Sequence, residues 1–207
     1  GLPKGAVRAI ERADKGSNQA DMHIVLSNPL RGDIPFPEVI ESKSIHDGLE
    51  LGRYEDNTLF RLLITGGIGM EGPTAPSQTS VMGMTRAGKS HLFRIFVWQL
   101  SFCTDVVLWV IDVAKANQTV RPLLPAIDRL TVTPDSAGEA LDDVRRILIE
   151  RGNWMAEHGL DEWEPDCGIP ALVVWVEEGS ALLGGMAVWK QLAQASLSLG
   201  VFLFDSM

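Results

Sequence analysis

Eight residues, Gly83, Met84, Thr85, Arg86, Ala87, Gly88, Lys89 and Ser90, stand between a short strand-like run at 79–82 and a stretch over 90–102 with apolar residues at helical spacing. Two glycines followed by Lys and a hydroxyl residue constrain the fold more than any other feature of the chain. The spacing works only where a strand feeds a tight loop and a helix leaves it. Backbone N–H groups then curl inward, and the helix points its positive end at the same place. Both neighbours are present, for Leu92, Phe93, Phe96, Val97 and Leu100 mark the buried face of the following helix. Such a loop cradles a phosphate chain. Residues 83–90 would bind a nucleoside triphosphate, with Lys89 reaching its β- and γ-phosphates and the Ser90 hydroxyl completing the shell of a Mg2+ ion.

Around the loop, strand-like and helix-like segments alternate. Residues 105–113 (DVVLWVIDV), 171–176 (ALVVWV) and 200–204 (GVFLF) are apolar almost without alternation, which is how parallel strands covered on both faces must read. A strand at 130–133 precedes the start signal Pro134-Asp135-Ser136 and a helix over 137–158. Its apolar positions include Leu141, Val144, Ile147 and Leu148, and Glu150 and Arg151 are placed on its solvated side. A further helix is read at 188–198. The alternation predicts an α/β fold whose mainly parallel sheet is covered by helices.

Upstream, the first 21 residues are polar and read as a linker, a strand follows at 22–26, prolines break the next loop, and residues 38–42 suit a brief helix. Residues 59–65 read as a strand. Gly67, Gly69 and Gly72 then spell GxGxxG, but Pro73 and Pro76 deny it the helix that a dinucleotide site needs, so a mobile loop is expected there. The reading divides the chain into 1–46, a linker with a small strand-containing segment, and 47–207, a partial motor domain.

Composition narrows the function classes. A net charge of −9 argues against a broad basic coat for nonspecific nucleic-acid binding, though a ring channel needs only a few local Lys and Arg. Cys103 and Cys167 form no CxxC pair or ligand cluster, which leaves a zinc site or disulfide framework without support and suits a reducing cytoplasm. No apolar run is long enough to span a bilayer, and the first residues lack the apolar core of a secretory signal.

Two acidic positions compete to complete the site. Asp112 ends the strand right after the first helix, an arrangement suited to small-molecule kinases or GTPases. Glu177-Glu178 ends the strand one unit later, as in ATPases with an extra strand inserted in the sheet. The adjacent carboxylates are favoured: Glu177 at the metal and Glu178 as the base that polarises the attacking water, with Glu177 the less secure because Asp is usual there. No guanine-reading NKxD follows, so the nucleotide is expected to be ATP.

These residues resemble the FtsK/SpoIIIE family of DNA-pumping motors, including the actinobacterial plasmid-transfer proteins of the TraB type. The resemblance rests on LELGRYEDNTLFRLL (49–63), VMGMTRAGKSHL around the loop, WVIDVAK (109–115), VRRILIERGNWM, PALVVWVEEGSALL and QLAQASLSLGVFLF. It implies a RecA-like P-loop ATPase core, the ATP- and Mg2+-dependent subunit of a homo-hexameric ring that drives double-stranded DNA through its channel, in plasmid transfer or chromosome segregation at division. Such a protein works at the cytoplasmic face of the membrane, held there by segments outside this chain. Type VII secretion ATPases share this motor fold and handle protein instead, and a non-hydrolysing nucleotide-binding module is a third alternative.

Where the family's strand like GVFLF ends in a Gln, this chain reads Asp205-Ser206-Met207. The motor domain is therefore expected to be C-terminally incomplete, with the arginine finger and winged helix outside it. Residues 1–207 alone are expected to be marginally soluble and nearly inactive, because the last strand would leave a neighbour-facing edge uncovered.

Overall fold

A computed structural model describes residues 7–11, 20–24, 41–54, 58–69, 72–84, 86–164, 166–179, 192–194 and 196–206. The chain forms two compact units, one of Gly1–Val39 with Glu50–Arg61, the other of Ile40–Leu49 with Leu62–Met207.

In the first unit, β1 (Val7–Glu11) pairs antiparallel with β2 (Ala20–Ile24), so a strand stands inside the stretch expected to be linker. β3 (Leu49–Arg53) and β4 (Leu59–Leu62) form a second two-stranded sheet, and Arg61 reaches Glu50 at 2.7 Å. β3 was not anticipated: Gly52 and the charges in LELGR hide its alternation. Of the helix expected at 38–42, residues 38–40 lie outside the described part and 41–42 have no regular structure.

In the larger unit two short strands stand where a mobile loop was expected, β5 (Gly67–Gly69) pairing antiparallel with β6 (Gly72–Thr74). Its centre is a five-stranded sheet made of β7 (Thr79–Val81), β8 (Val106–Ile111), β9 (Arg129–Thr131), β10 (Ala171–Val176) and β11 (Val201–Ser206). Their lateral order is β7-β11-β10-β8-β9, and all four pairings are parallel. β11 is therefore not the uncovered edge that was expected. β10 pairs it along Val201–Asp205 and β7 pairs Phe204–Ser206, while the Gln78 side chain accepts from the Leu203 N–H where β7 does not reach.

Helices cover both faces, which is why β8 and β10 are apolar on every residue. Along β10, Leu172, Val174 and Val176 face α3 (Pro134–Glu157) and its stripe Ala137, Ala140, Leu141, Val144 and Leu148. On the opposite side Trp175 meets Phe93 and Phe96 of α1 (Lys89–Leu100) at ring separations of 4.7 and 5.1 Å, and Phe96 meets Phe204 of β11 at 4.5 Å. Full burial of each such ring contributes about 1.5–3 kcal/mol, which holds α1 and the loop before it firmly against the sheet. Short α2 (Asn117–Val120) follows β8. α3 starts three residues earlier than read, because Thr133 is its N-cap and shares a capping box with Ser136. The helix expected at 188–198 is described only at 192–194 and 196, both helical, before a 3-10 turn at Leu197–Leu199.

One placement is corrected. Arg151 lies in the core, not on the solvated side of α3. Its guanidinium donates to the carbonyls of Leu199 (2.9 Å), Gly200 (3.0 Å) and Pro170 (2.7 Å), tying the helix to the beginnings of β10 and β11. Gly200 admits no side chain, for it has φ 67° and a Cβ would come within 2.4 Å of the Trp163 ring.

Candidate functional site

Because the five strands are parallel, their carboxyl ends lie along one edge, which carries the described residues of the 83–90 loop together with Asp112, Glu177 and Glu178. β7 delivers Met82 and the loop. Arg86 (φ 68°) and Gly88 (φ 96°) both take the left-handed region, and Ala87 N–H bonds Met84 O at 3.0 Å to close the turn. Thr85 lies outside the described residues. Gly83, Met84, Arg86, Ala87 and Gly88 are exposed, and Gly88 caps α1 with no side-chain acceptor, so the first N–H groups of this twelve-residue helix are open to an anion. Lys89 is the first residue of α1, and its ammonium donates to Gly83 O at 2.5 Å and more distantly to Met84 O at 3.4 Å. Ser90, half-buried, follows it on the helix.

The acids lie three strands wide beside this loop. Register aligns Val176 with Ile111 on one side and with Asp205 on the other, which sets Glu177 next to Asp112 across one strand gap and Ser206 across the other. Glu177 is 1% exposed. Its Oε2 accepts from Ser206 Oγ at 2.8 Å and Trp175 Nε1 at 3.1 Å, whereas Oε1 has no hydrogen bond. Asp112 is fully buried; its Oδ1 accepts from Lys115 N at 2.8 Å and its Oδ2 has no partner. Burial above all pushes the Asp112 carboxyl up from its ordinary value, the Lys115 N–H opposes that rise, and the Glu177 charge adds to it. Glu178 is 41% exposed and has φ 51°, a conformation rare outside glycine and often kept at functional sites. Its N–H donates to Ser206 Oγ at 3.0 Å.

Two residues of this edge were not anticipated as partners of the acids. Ser206 bridges Glu177 and Glu178; the signal for it was its position at the end of GVFLF, where a polar residue was awaited. Lys115 places its ammonium 2.6 Å from Glu178 and 3.7 Å from Glu177. It ends the WVIDVAK block, and periodicity carries no hint of where its head would go.

A buried carboxylate oxygen with no hydrogen bond, as at Glu177 Oε1, is a hard donor suited to Mg2+, and Asp112 Oδ2 has the same chemistry. Among the described residues no group of three His, Cys, Asp or Glu forms a metal cage. The arrangement fits a Mg2+ ion held by one or two side chains together with phosphate oxygens.

The described chain shares its fold with solved ATPase domains. It matches the cytoplasmic domain of the Thermomonospora curvata type VII secretion ATPase EccC (TM-score 0.60, 18% identity, 83% of this chain and 22% of that one). It matches ATPases 2 and 3 of EssC from Geobacillus thermodenitrificans (0.58, 14%, 84% and 36%). It also matches the pCW3 conjugation coupling protein TcpA, solved with ATPγS (0.59, 12%, 98% and 60%). This chain thus spans between 22% and 60% of the length of these proteins. No family model matches the sequence, and no curated protein does. At such identities the likeness establishes an α/β RecA-like ATPase fold. Among the described residues no helix is long and apolar enough to cross a membrane.

Proposed function

We propose that this chain is the nucleotide-hydrolysing part of an FtsK/SpoIIIE-type motor, in a homo-hexamer that moves double-stranded DNA and reaches the membrane through segments outside these residues. The observation that carries the reading is the place of β11 between β7 and β10, which puts an inserted strand between the phosphate loop and Glu177-Glu178. Gly83, Met84, Thr85, Arg86, Ala87, Gly88, Lys89 and Ser90 would hold the phosphates of ATP, and Ser90 with Glu177 would hold Mg2+. The bound ion supplies charge neutralisation on the phosphates. Glu178, the more exposed acid of the pair, takes the proton of the attacking water.

The test is a pair of variants. Lys89→Ala is expected to abolish ATP turnover without unfolding the protein, and Glu178→Gln to bind ATP while hydrolysing it about 10²-fold or more slowly. ATP turnover at the original rate in Lys89→Ala refutes the nucleotide site, and an unbound, unhydrolysed nucleotide in the unaltered protein refutes the ATPase.

DNA as the polymer is supported by TcpA, the one of these three neighbours that aligns with 98% of the chain. A protein substrate is the second reading, supported by the likeness to EccC and EssC. Stimulation of turnover by duplex DNA or by a secretion-signal peptide decides between them.

A further inference from the structure

The acid pair at the end of β10 has a cation of its own. Asp112 sits at the end of β8, where its Oδ1 accepts from the Lys115 N–H and closes a turn that folds Lys115 back toward β10. Ala116, the next residue, has φ 51°, the same left-handed conformation that Glu178 adopts across the gap. Two non-glycine residues in this region are costly, and they flank a single contact, the 2.6 Å ion pair between Lys115 Nζ and Glu178 Oε1. The ammonium also faces the orphan oxygen of buried Glu177 at 3.7 Å. One lysine therefore compensates both carboxylates.

A carboxylate oxygen with an ammonium 2.6 Å away is already occupied by a donor and is not open to an attacking water, and Mg2+ at Glu177 would bring a second cation against the first. We infer that Lys115 is a removable counter-ion: it restrains Glu178 in the nucleotide-free protein and has to release it when magnesium nucleotide binds. This rests on the assignment of Glu178 as the base. Lys115 is then a positioning residue, and binding free energy is partly spent on separating the pair.

The test measures ATPγS affinity with Mg2+ and with EDTA. In Lys115→Met the ratio of the two dissociation constants, EDTA over Mg2+, is expected to rise about five-fold, because the competing cation is gone. Lys115→Arg keeps the ion pair and should keep the original ratio. With Glu178→Gln in place, Lys115→Met should change the ratio by less than about two-fold, since the principal anchor is already lost. A variant that merely misfolds loses affinity in both buffers and shows no such dependence on residue 178.

Single-turnover hydrolysis gives the second reading. Lys115→Met should hydrolyse bound ATP at least as fast as the unaltered protein. An unchanged or lowered ratio, or hydrolysis slowed more than about ten-fold, overturns the restraint while leaving the base assignment standing. Undiminished hydrolysis by Glu178→Gln overturns the base assignment and the restraint together.

Discussion

At the scale of single residues, burial and charge set the chemistry more than residue type does, and Cys103 shows it away from the acids. Its Sγ lies 3.7 Å from Gln99 O, and burial pushes its thiol up to about 11, with Asp105 and Asp47 adding to the rise and Lys43 opposing it. The raised value means the folded chain favours the neutral thiol, so that preference stabilises it at pH values below the ordinary thiol range and is lost as pH climbs toward 11. Only the thiolate is nucleophilic, so at pH 8 Cys103 should alkylate with iodoacetamide about a hundredfold more slowly than an ordinary exposed thiol. Its rate should then climb about tenfold per pH unit until close to pH 11. Peptide mass spectrometry of the folded protein checks this, and an ordinary thiol rate at pH 8 contradicts it. None of this was legible from the isolated CT pair, which gives no sign that the helix end closes over the sulfur. The strand–loop–helix setting of residues 83–90 was legible because spacing along the chain records it, whereas Lys115 and Ser206 make their contacts across strand gaps that spacing does not record.

At the scale of elements, α3 carries the clearest lesson. Val144, Leu148, Arg151 and Met155 recur at helical spacing on the buried side, so the period alone places Arg151 inward. The positive charge pointed the other way and was the worse guide. Burial pulls the Arg151 guanidinium down to about 10, and three carbonyls at the starts of β10 and β11 offset that cost. Arg151→Met keeps much of the apolar stem but removes every donor, so it should destabilise the fold by about 2–4 kcal/mol, lowering the denaturant midpoint without abolishing nucleotide binding. A loss below about 0.5 kcal/mol would mean that water serves those carbonyls equally well. Strands β8, β10 and β11 were readable to within a residue or two because burial on both faces leaves no polar alternation. β3 and the β5-β6 pair were not, since short strands with glycine, proline and charge carry almost no periodic signal.

At the scale of the whole molecule, the lateral order of the strands sets which acid lies nearer the loop after β7, and no single segment encodes that order. It follows from how α1, α3 and the connections between them cross the sheet. β8 comes next after β7 and α1 in the chain, yet β11 and β10 lie between β8 and β7. Asp112 is thereby set one strand farther from the phosphate loop than Glu177-Glu178, and its Oδ1 is occupied by the Lys115 N–H. Its work is to close the turn that aims Lys115. Asparagine at 112 retains a side-chain oxygen for that turn and relieves a buried carboxylate whose Oδ2 has no partner, so Asp112→Asn should leave magnesium-dependent turnover within about three-fold and stability nearly unchanged. Asp112→Ala removes the acceptor and should weaken the turn, reproducing the rise in the EDTA-to-Mg2+ affinity ratio expected of Lys115→Met. Magnesium titrations of turnover and of ATPγS affinity on both variants separate the roles. If Asp112→Asn instead raised the magnesium requirement about ten-fold while Glu178→Gln left hydrolysis intact, the metal would belong to β8, and the strand order would have to serve the kinase-like arrangement after all.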